Sequence, residues 1–320
     1  MTDVISRVLV AGASGTTGRC VVEALLAGGY QVVAVVRPST VWDRVDGSLE
    51  VVRTELCHEP HWYRDVSACD AIISCLASRT GAAEDARQVE FDANNALLAA
   101  AEQWRVQRFL LVSAVCVQKP LLAFQREKLR FETRLRTASV PWTIVRPTAF
   151  FNSLSGQVSR VQSGRAFFLF GGGNLTACKP ISGHDLADYL LQRLHDLQAA
   201  GQVLVIGGPG PALTPKDQVA MLERLMGQPV KTRTLPPAMF RWLATLFTAL
   251  GWVVPRLRGR AEFLRIAHFY ATESMLVWDA SANRYCPDQT PETGTERLED
   301  FYRALLAGEA SVELREHKLF

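Results

Sequence analysis

VLVAGASGTTGR, residues 8–19, decides the fold. The run RVLVA (7–11) is short, apolar and strand-like, and it stops at Gly12. Gly12, Gly15 and Gly18 follow in a GxxGxxG spacing, and residues 18–28 carry the helical pattern Val21, Val22, Ala24, Leu25, Leu26. Gly28 and Gly29 close that helix, and QVVAVV (31–36) is the next strand. A strand, a glycine turn and a helix in this order form an anion site. Glycine permits the sharp turn and lets backbone N–H groups approach a pyrophosphate, while the helix N-terminus adds partial positive charge. Ser14, Thr16 and Thr17 supply further donors at the turn. The spacing therefore predicts dinucleotide binding on an α/β, Rossmann-type, doubly wound parallel sheet.

The same alternation continues outward. LEVVRTEL (49–56), AIISCLA (71–77), RFLLVSAV (108–115) and WTIVRP (142–147) read as further strands. Helices are predicted over about Ala83–Gln103 and over 126–138, the second with Leu129 and Leu135 toward the core. After residue 150 the rhythm changes. AFFLFGGGNLTAC (166–178) reads as a β-hairpin, Ser182 caps a helix with Asp185 at its third position, and QVLVIGG (202–208) is a buried strand returning to the main sheet. Thr214-Pro215 starts another helix, and the remainder reads as mainly helical. The expected division is a nucleotide-binding domain over 1–150 and a smaller, mainly helical substrate region over 151–320.

Composition excludes several classes. A net charge of +3 with scattered Lys and Arg argues against a nucleic-acid partner. The seven cysteines (Cys20, Cys57, Cys69, Cys75, Cys116, Cys178, Cys286) include no CxxC spacing, so no metal or iron–sulfur cluster is expected, and reduced thiols in a cytoplasmic setting are. The uncharged stretch Trp242–Pro255 is shorter than the ~20 residues that span a bilayer. It fits a buried helix, a lid over an apolar ligand, or a helix lying on a membrane surface.

The second strand selects the dinucleotide. An NAD site carries Asp or Glu about 20 residues beyond the glycines, on the ribose 2′-OH. VVAVVRPS offers Arg37 instead, which suits a 2′-phosphate, with Arg19 as a helper. NADPH is the expected cofactor.

The glycine spacing, with Ser113 ending the fifth strand, resembles the short-chain dehydrogenase superfamily. Ordinary members use a YxxxK pair. Here the segment reads Phe124-Gln-Arg-Glu-Lys128, so the lysine stays and the phenol is gone. Longer stretches are more specific: ISCLASRTG (73–81), LLVSAVCVQKPLLAFQREKLRFE (110–132), IVRPTAFFNSLSGQV (144–158), FGGGNLTACKPIS (170–182), IGGPGPALTP (206–215) and FYATESMLVWD (269–279). They resemble the NADPH-dependent divinyl chlorophyllide 8-vinyl reductases. The resemblance implies reduction of a vinyl group on a magnesium chlorin or porphyrin to ethyl. It also implies a catalytic, cofactor-orienting Lys128 and cofactor contacts at Cys75, Leu76, Ala77, Ser113, Pro147 and Thr148. Phe150 and Phe151, directly after the sixth strand, are the candidate pigment contacts, stacking on the flat macrocycle or else packing as core rings, and His268 is a weaker candidate axial ligand for magnesium.

The chemistry tolerates the lost phenol. Hydride can add to the outer vinyl carbon and the macrocycle can take up the charge, so no alkoxide forms. The chain begins without the targeting extension of plant members, so a bacterial or cyanobacterial source is expected, cytoplasmic or peripheral to photosynthetic membranes. Two other readings share the nucleotide motif: an isoflavone-reductase-like double-bond reductase, and a non-enzymatic NADP(H) sensor or assembly factor. Oligomeric state stays open.

Overall fold

The computed structural model describes residues 5–59, 61–250 and 256–310. β1 (Arg7–Ala11) ends at Gly12, whose φ of 73° is the left-handed conformation that glycine adopts without strain. The chain turns at once into α1 (Thr16–Ala27), which buries Val21, Val22 and Leu25. Each such side chain contributes about 1.5–3 kcal/mol by leaving water. β2 (Gln31–Val36), β3 (Leu49–Arg53) and β4 (Ala71–Ser74) follow.

The single long helix expected over Ala83–Gln103 is broken in the middle. α2 (Ala83–Ala86) runs into a π-helical segment, Arg87–Asp92, and then into α3 (Ala93–Trp104). β5 (Arg108–Val112), α4 (Ala123–Arg136) and β6 (Trp142–Pro147) complete the first half. Beyond it lie α5 (Phe151–Leu154), α6 (Val158–Gln162), β7 (Phe167–Phe170), α7 (Gly183–His195) and β8 (Gln202–Ile206). Then come α8 (Pro215–Met226), β9 (Thr232–Leu235), α9 (Ala238–Leu250), α10 (Arg256–Thr272), β10 (Val277–Asp279), β11 (Arg284–Cys286) and α11 (Leu298–Ala307).

Seven strands form one parallel sheet in the order β3-β2-β1-β4-β5-β6-β8. Successive side chains on a strand face opposite sides, so β1 feeds two cores. Val8 and Val10 pack with α1 and with Leu186, Leu190 and Leu194 of α7. Leu9 and Ala11 pack with α3 and with Phe131 and Leu135 of α4. β8 does return to the main sheet, as its sequence suggested, but as a half-buried edge strand.

Two expectations fail, each because partners come from far away in sequence. Residues 166–178 form no hairpin. β7 pairs in parallel with β9, and Cys178 bridges to Leu213 and Met275. Leu129 is only half-buried, because α4 turns Gln125, Lys128 and Glu132 inward along with Phe131 and Leu135. The C-terminal part is mainly helical, as expected, with β10 and β11 adding one short antiparallel hairpin.

The apolar helix α9 is not buried. Trp242 is 73% exposed, with Leu246 and Leu250 also in the open, and only Phe240 and Ala244 are covered. Residues 251–255 of that apolar stretch lie outside the described residues. No helix among the described residues is long and apolar enough to cross a membrane.

Candidate active site

The strand order reverses between β1 and β4, and ligands of open α/β sheets bind beyond the carboxyl ends of strands at such a point. The glycine turn stands there. A Cβ on Gly12 would sit 2.8 Å from the Cys75 carbonyl oxygen, and one on Gly18 would sit 2.1 Å from the Gly12 carbonyl oxygen. The turn thus packs on the end of β4 and seats α1 on itself with no room for a side chain. Gly15, the N-cap, has no side-chain cap, and the first turn of α1 carries no acid. Its first N–H groups are therefore left for an external anion, so the residues present fit the pyrophosphate of a dinucleotide.

The remaining cofactor candidates reach the same edge from neighbouring strands. Cys75, Leu76 and Ala77 follow β4, with Ala77 exposed. Arg37 follows β2 and its carbonyl closes a turn with the N–H of Thr40. The Arg19 side chain donates from Nε to the Ser14 carbonyl at 3.2 Å and lies over the Trp42 ring. Ser113 and Thr148 also stand at strand ends, but their hydroxyls turn inward. Ser113 Oγ donates to Glu132 Oε1 at 2.7 Å, and Thr148 Oγ1 donates to the carbonyl of Lys179. Glu132 in turn receives Arg146 Nε at 3.0 Å. Pro147 is buried.

Lys128 is not a surface lysine. Its Nζ donates to Glu90 Oε2 at 2.7 Å, and the other oxygen, Oε1, accepts from Ser78 N at 2.8 Å and Ser78 Oγ at 3.0 Å. Glu90 is 2% exposed and sits in the π-helical segment. Such a segment shifts the helix phase locally and recurs at functional sites. It brings the carboxylate between the β4 loop and α4. A carboxylate this deep is stable only when paired, and Lys128 is its partner.

Behind this pair lies a region that sequence reasoning missed. Gln125 is fully buried: its Oε1 accepts from Leu122 N at 2.9 Å, while its Nε2 finds no acceptor in good geometry. That amide acts on the thiol of Cys116, which burial pushes up to about 11; burial likewise pushes Cys75 up to about 12. Both thiols are neutral at ordinary pH and offer no thiolate nucleophile.

Phe124 and Tyr270 pack on the cluster of Val115, Cys116 and Ile266. Glu90 and Tyr270 carry no local sequence signal, because what identifies them is a neighbour on another element.

The two expected pigment contacts separate. Phe150 is half-buried at the sheet edge, where it bridges to Ile181. Phe151 is 5% exposed and packs on Phe301 with ring centroids 5.6 Å apart, so it is a core ring and not a pocket wall. His268 lines an open cleft of about 240 Å³ between α9, α10 and Leu121–Leu122. Burial, then Arg241, holds its pKa below the usual histidine value.

Residues 12–197 match the model of an NAD(P)H-binding family. The divinyl chlorophyllide a 8-vinyl-reductase of Oryza sativa subsp. indica is 42% identical over 98% of this chain and 82% of its own length. The enzyme of that name from Arabidopsis thaliana is 36% identical over 97% of this chain and 79% of its own. Among solved structures, the UDP-glucose 4-epimerase of Thermotoga maritima with UDP-glucose superposes with a TM-score of 0.68 at 15% identity, covering 94% of this chain and 97% of that one; it shares the fold. The fold, the glycine cradle and the identity along almost the whole chain place this protein in the NAD(P)H-binding family and, within it, among the divinyl chlorophyllide a 8-vinyl-reductases.

Proposed function

We propose that this enzyme reduces the 8-vinyl group of divinyl chlorophyllide or protochlorophyllide to ethyl, with NADPH as the reductant. The carrying observation is the whole-length identity to enzymes of that name, joined to a site that keeps Lys128 and has Phe124 in place of the phenol. A phenyl ring cannot give up a proton, which disfavours carbonyl chemistry at position 124. A vinyl group conjugated to a macrocycle does not form an alkoxide.

When bound, the nicotinamide supplies a hydride to the outer vinyl carbon. The chain supplies position and charge. The turn at Gly12–Gly18 takes the pyrophosphate on backbone N–H groups. Lys128, whose ammonium Glu90 holds in place, would orient the nicotinamide ribose when the dinucleotide is bound. We assign the pigment to the edge at Phe150 and to the exposed apolar surface of α9, which suits a flat, poorly soluble ring.

Arg37 supports NADPH over NADH, since it stands where an NAD enzyme places an acid. Arg37→Asp is expected to weaken NADPH binding by about 5–150-fold, the factor for the ~1–3 kcal/mol of a charge-assisted bond, and to leave NADH binding unchanged. Equal NADPH affinity in the variant rejects that role. The activity is tested by incubating the purified protein with NADPH and divinyl chlorophyllide. The expected product is the monovinyl pigment, two hydrogens heavier. Dinucleotide binding without any monovinyl product removes the reading and favours a sensor or assembly role.

A further inference from the structure

We propose that Tyr270, on α10, is the proton donor of the reduction, standing in from a different helix for the phenol that Phe124 lacks. The inference rests on the vinyl-reductase reading and names a group in the same site.

Three observations converge on this ring. First, Phe124 and Tyr270 pack on one cluster, with Val115, Cys116 and Ile266. Ile266 lies one helical turn before Tyr270 on the same face of α10, and a Cβ on Gly81 would meet Ile266 Cδ1 at 2.7 Å and Phe124 Cδ1 at 3.5 Å. α10 therefore lies over the loop after β4 and the start of α4, where the superfamily's phenol would project.

Second, the polar groups acting on the Tyr270 hydroxyl are the Cys116 thiol and the Glu90 carboxylate, and Glu90 is the group that holds Lys128. The phenol thus lies within electrostatic reach of the carboxylate that holds Lys128. Burial pushes its pKa far above the ordinary tyrosine range, and Cys116 and Glu90 push the same way. The ring keeps its proton throughout the neutral range, as a donor to a strong carbon base must.

Third, the position is built. The segment around Tyr270 is clamped to the connection between β5 and α4. Lys119 Nζ pairs with Glu273 at 2.5 Å and lies 4.2 Å from the Trp278 ring centroid. Gln118 Nε2 donates to the Leu276 carbonyl at 2.5 Å, and its Oε1 accepts from Trp278 N at 2.8 Å. Tyr285 Oη donates to Glu273 Oε2 at 2.5 Å from β11, which fixes the acid from the far side. A lid carrying only greasy surface would not need this many polar ties to the connection between β5 and α4.

The step balances. Hydride from the dinucleotide forms a C–H bond at the outer vinyl carbon, and the π electrons move to the inner carbon and the macrocycle. The Tyr270 O–H bond breaks, its proton forms the second C–H bond at the inner carbon, and the phenolate regains a proton from water. The vinyl group gains two electrons, and the dinucleotide loses two.

The test compares wild type, Tyr270→Phe, Tyr270→His and Cys116→Ala on divinyl chlorophyllide, with melting temperature and NADPH affinity measured beside turnover. Tyr270→Phe is expected to melt and bind NADPH as the wild type does while turnover falls about 10²–10⁴-fold, the range for a general acid. Tyr270→His restores a transferable proton and should recover about tenfold or more of that loss. Cys116→Ala removes a neighbour of the donor and not the donor itself, so it should cost turnover much less than Tyr270→Phe does. Wild-type turnover in Tyr270→Phe overturns the assignment, as does a loss confined to Cys116→Ala, which transfers the role to the thiol. An inactive wild type that still binds NADPH overturns the vinyl-reductase reading, and this inference with it.

Discussion

Removing the Lys128 ammonium strands the Glu90 carboxylate. With Lys128 read as a lone catalytic lysine, Lys128→Ala is expected to slow turnover and spare the fold. The pair changes that expectation. An uncompensated buried charge costs about 3–5 kcal/mol, so Lys128→Ala should lower the melting temperature as well as the rate. Lys128→Met combined with Glu90→Gln removes both charges and should recover most of the stability but not the turnover. Calorimetry and single-turnover rates on the three proteins check this. A Lys128→Ala protein that melts with the wild type would show that water screens the pair. Lys128 itself was legible from its spacing after Phe124. Glu90 was not, because it lies 38 residues away and meets Lys128 only through the fold. Ser113 was legible as a strand-end hydroxyl, but its inward bond to Glu132 depends on Arg146, a residue of another strand.

The elements differ in how much they announce themselves. The turn before α1 is written in glycines because the backbone itself is the wall. A Gly18→Ala methyl would fall 2.1 Å from the Gly12 carbonyl oxygen, and backbone cannot yield as a side chain does. That variant should lose dinucleotide binding entirely and several degrees of melting temperature, as read by NADPH titration and by thermal scans. Retained affinity would mean that α1 is seated by other contacts. α8 was equally legible, since Thr214 accepts from Asp217 N and the Asp217 carboxylate accepts from Thr214 N, a local capping box. α4 misled because its buried face is partly polar: apolar periodicity picks Leu129, whereas the fold buries Gln125, Lys128 and Glu132. β7 misled because the three glycines after it, Gly171–Gly173, all adopt positive φ and turn the chain aside instead of back, so its partner is β9.

At the scale of the whole molecule, the boundary near residue 150 divides the chain but not its core. α1 packs against α7, where a Cβ on Gly183 would lie 2.8 Å from Cys20 Sγ, and β6 takes β8 as its outer neighbour. A fragment of residues 1–150 therefore exposes Val21, Val22 and Leu25 where Leu186, Leu190 and Leu194 belong, and it leaves β6 as a bare apolar edge. It should show no cooperative thermal transition by circular dichroism, whereas residues 1–208 should show one. A cooperative 1–150 fragment would make the first half an independent folding unit. Helix phase ties the site to this frame. Leu97, Leu98, Ala100 and Ala101 fasten α3 to the sheet, and the π-helical turn at Arg87–Asp92 sets the angle at which Glu90 leaves it. A regular helix advances about 100° per residue, so losing one residue from that turn swings everything before the lost residue by roughly that angle while the sheet contacts stay put. Residue number thus becomes a dial for the chemistry: a one-codon deletion that preserves every charged group in this stretch can still uncouple Ser78, Glu90 and Lys128, and the length of the π turn is as much a part of the active site as the side chains it aims.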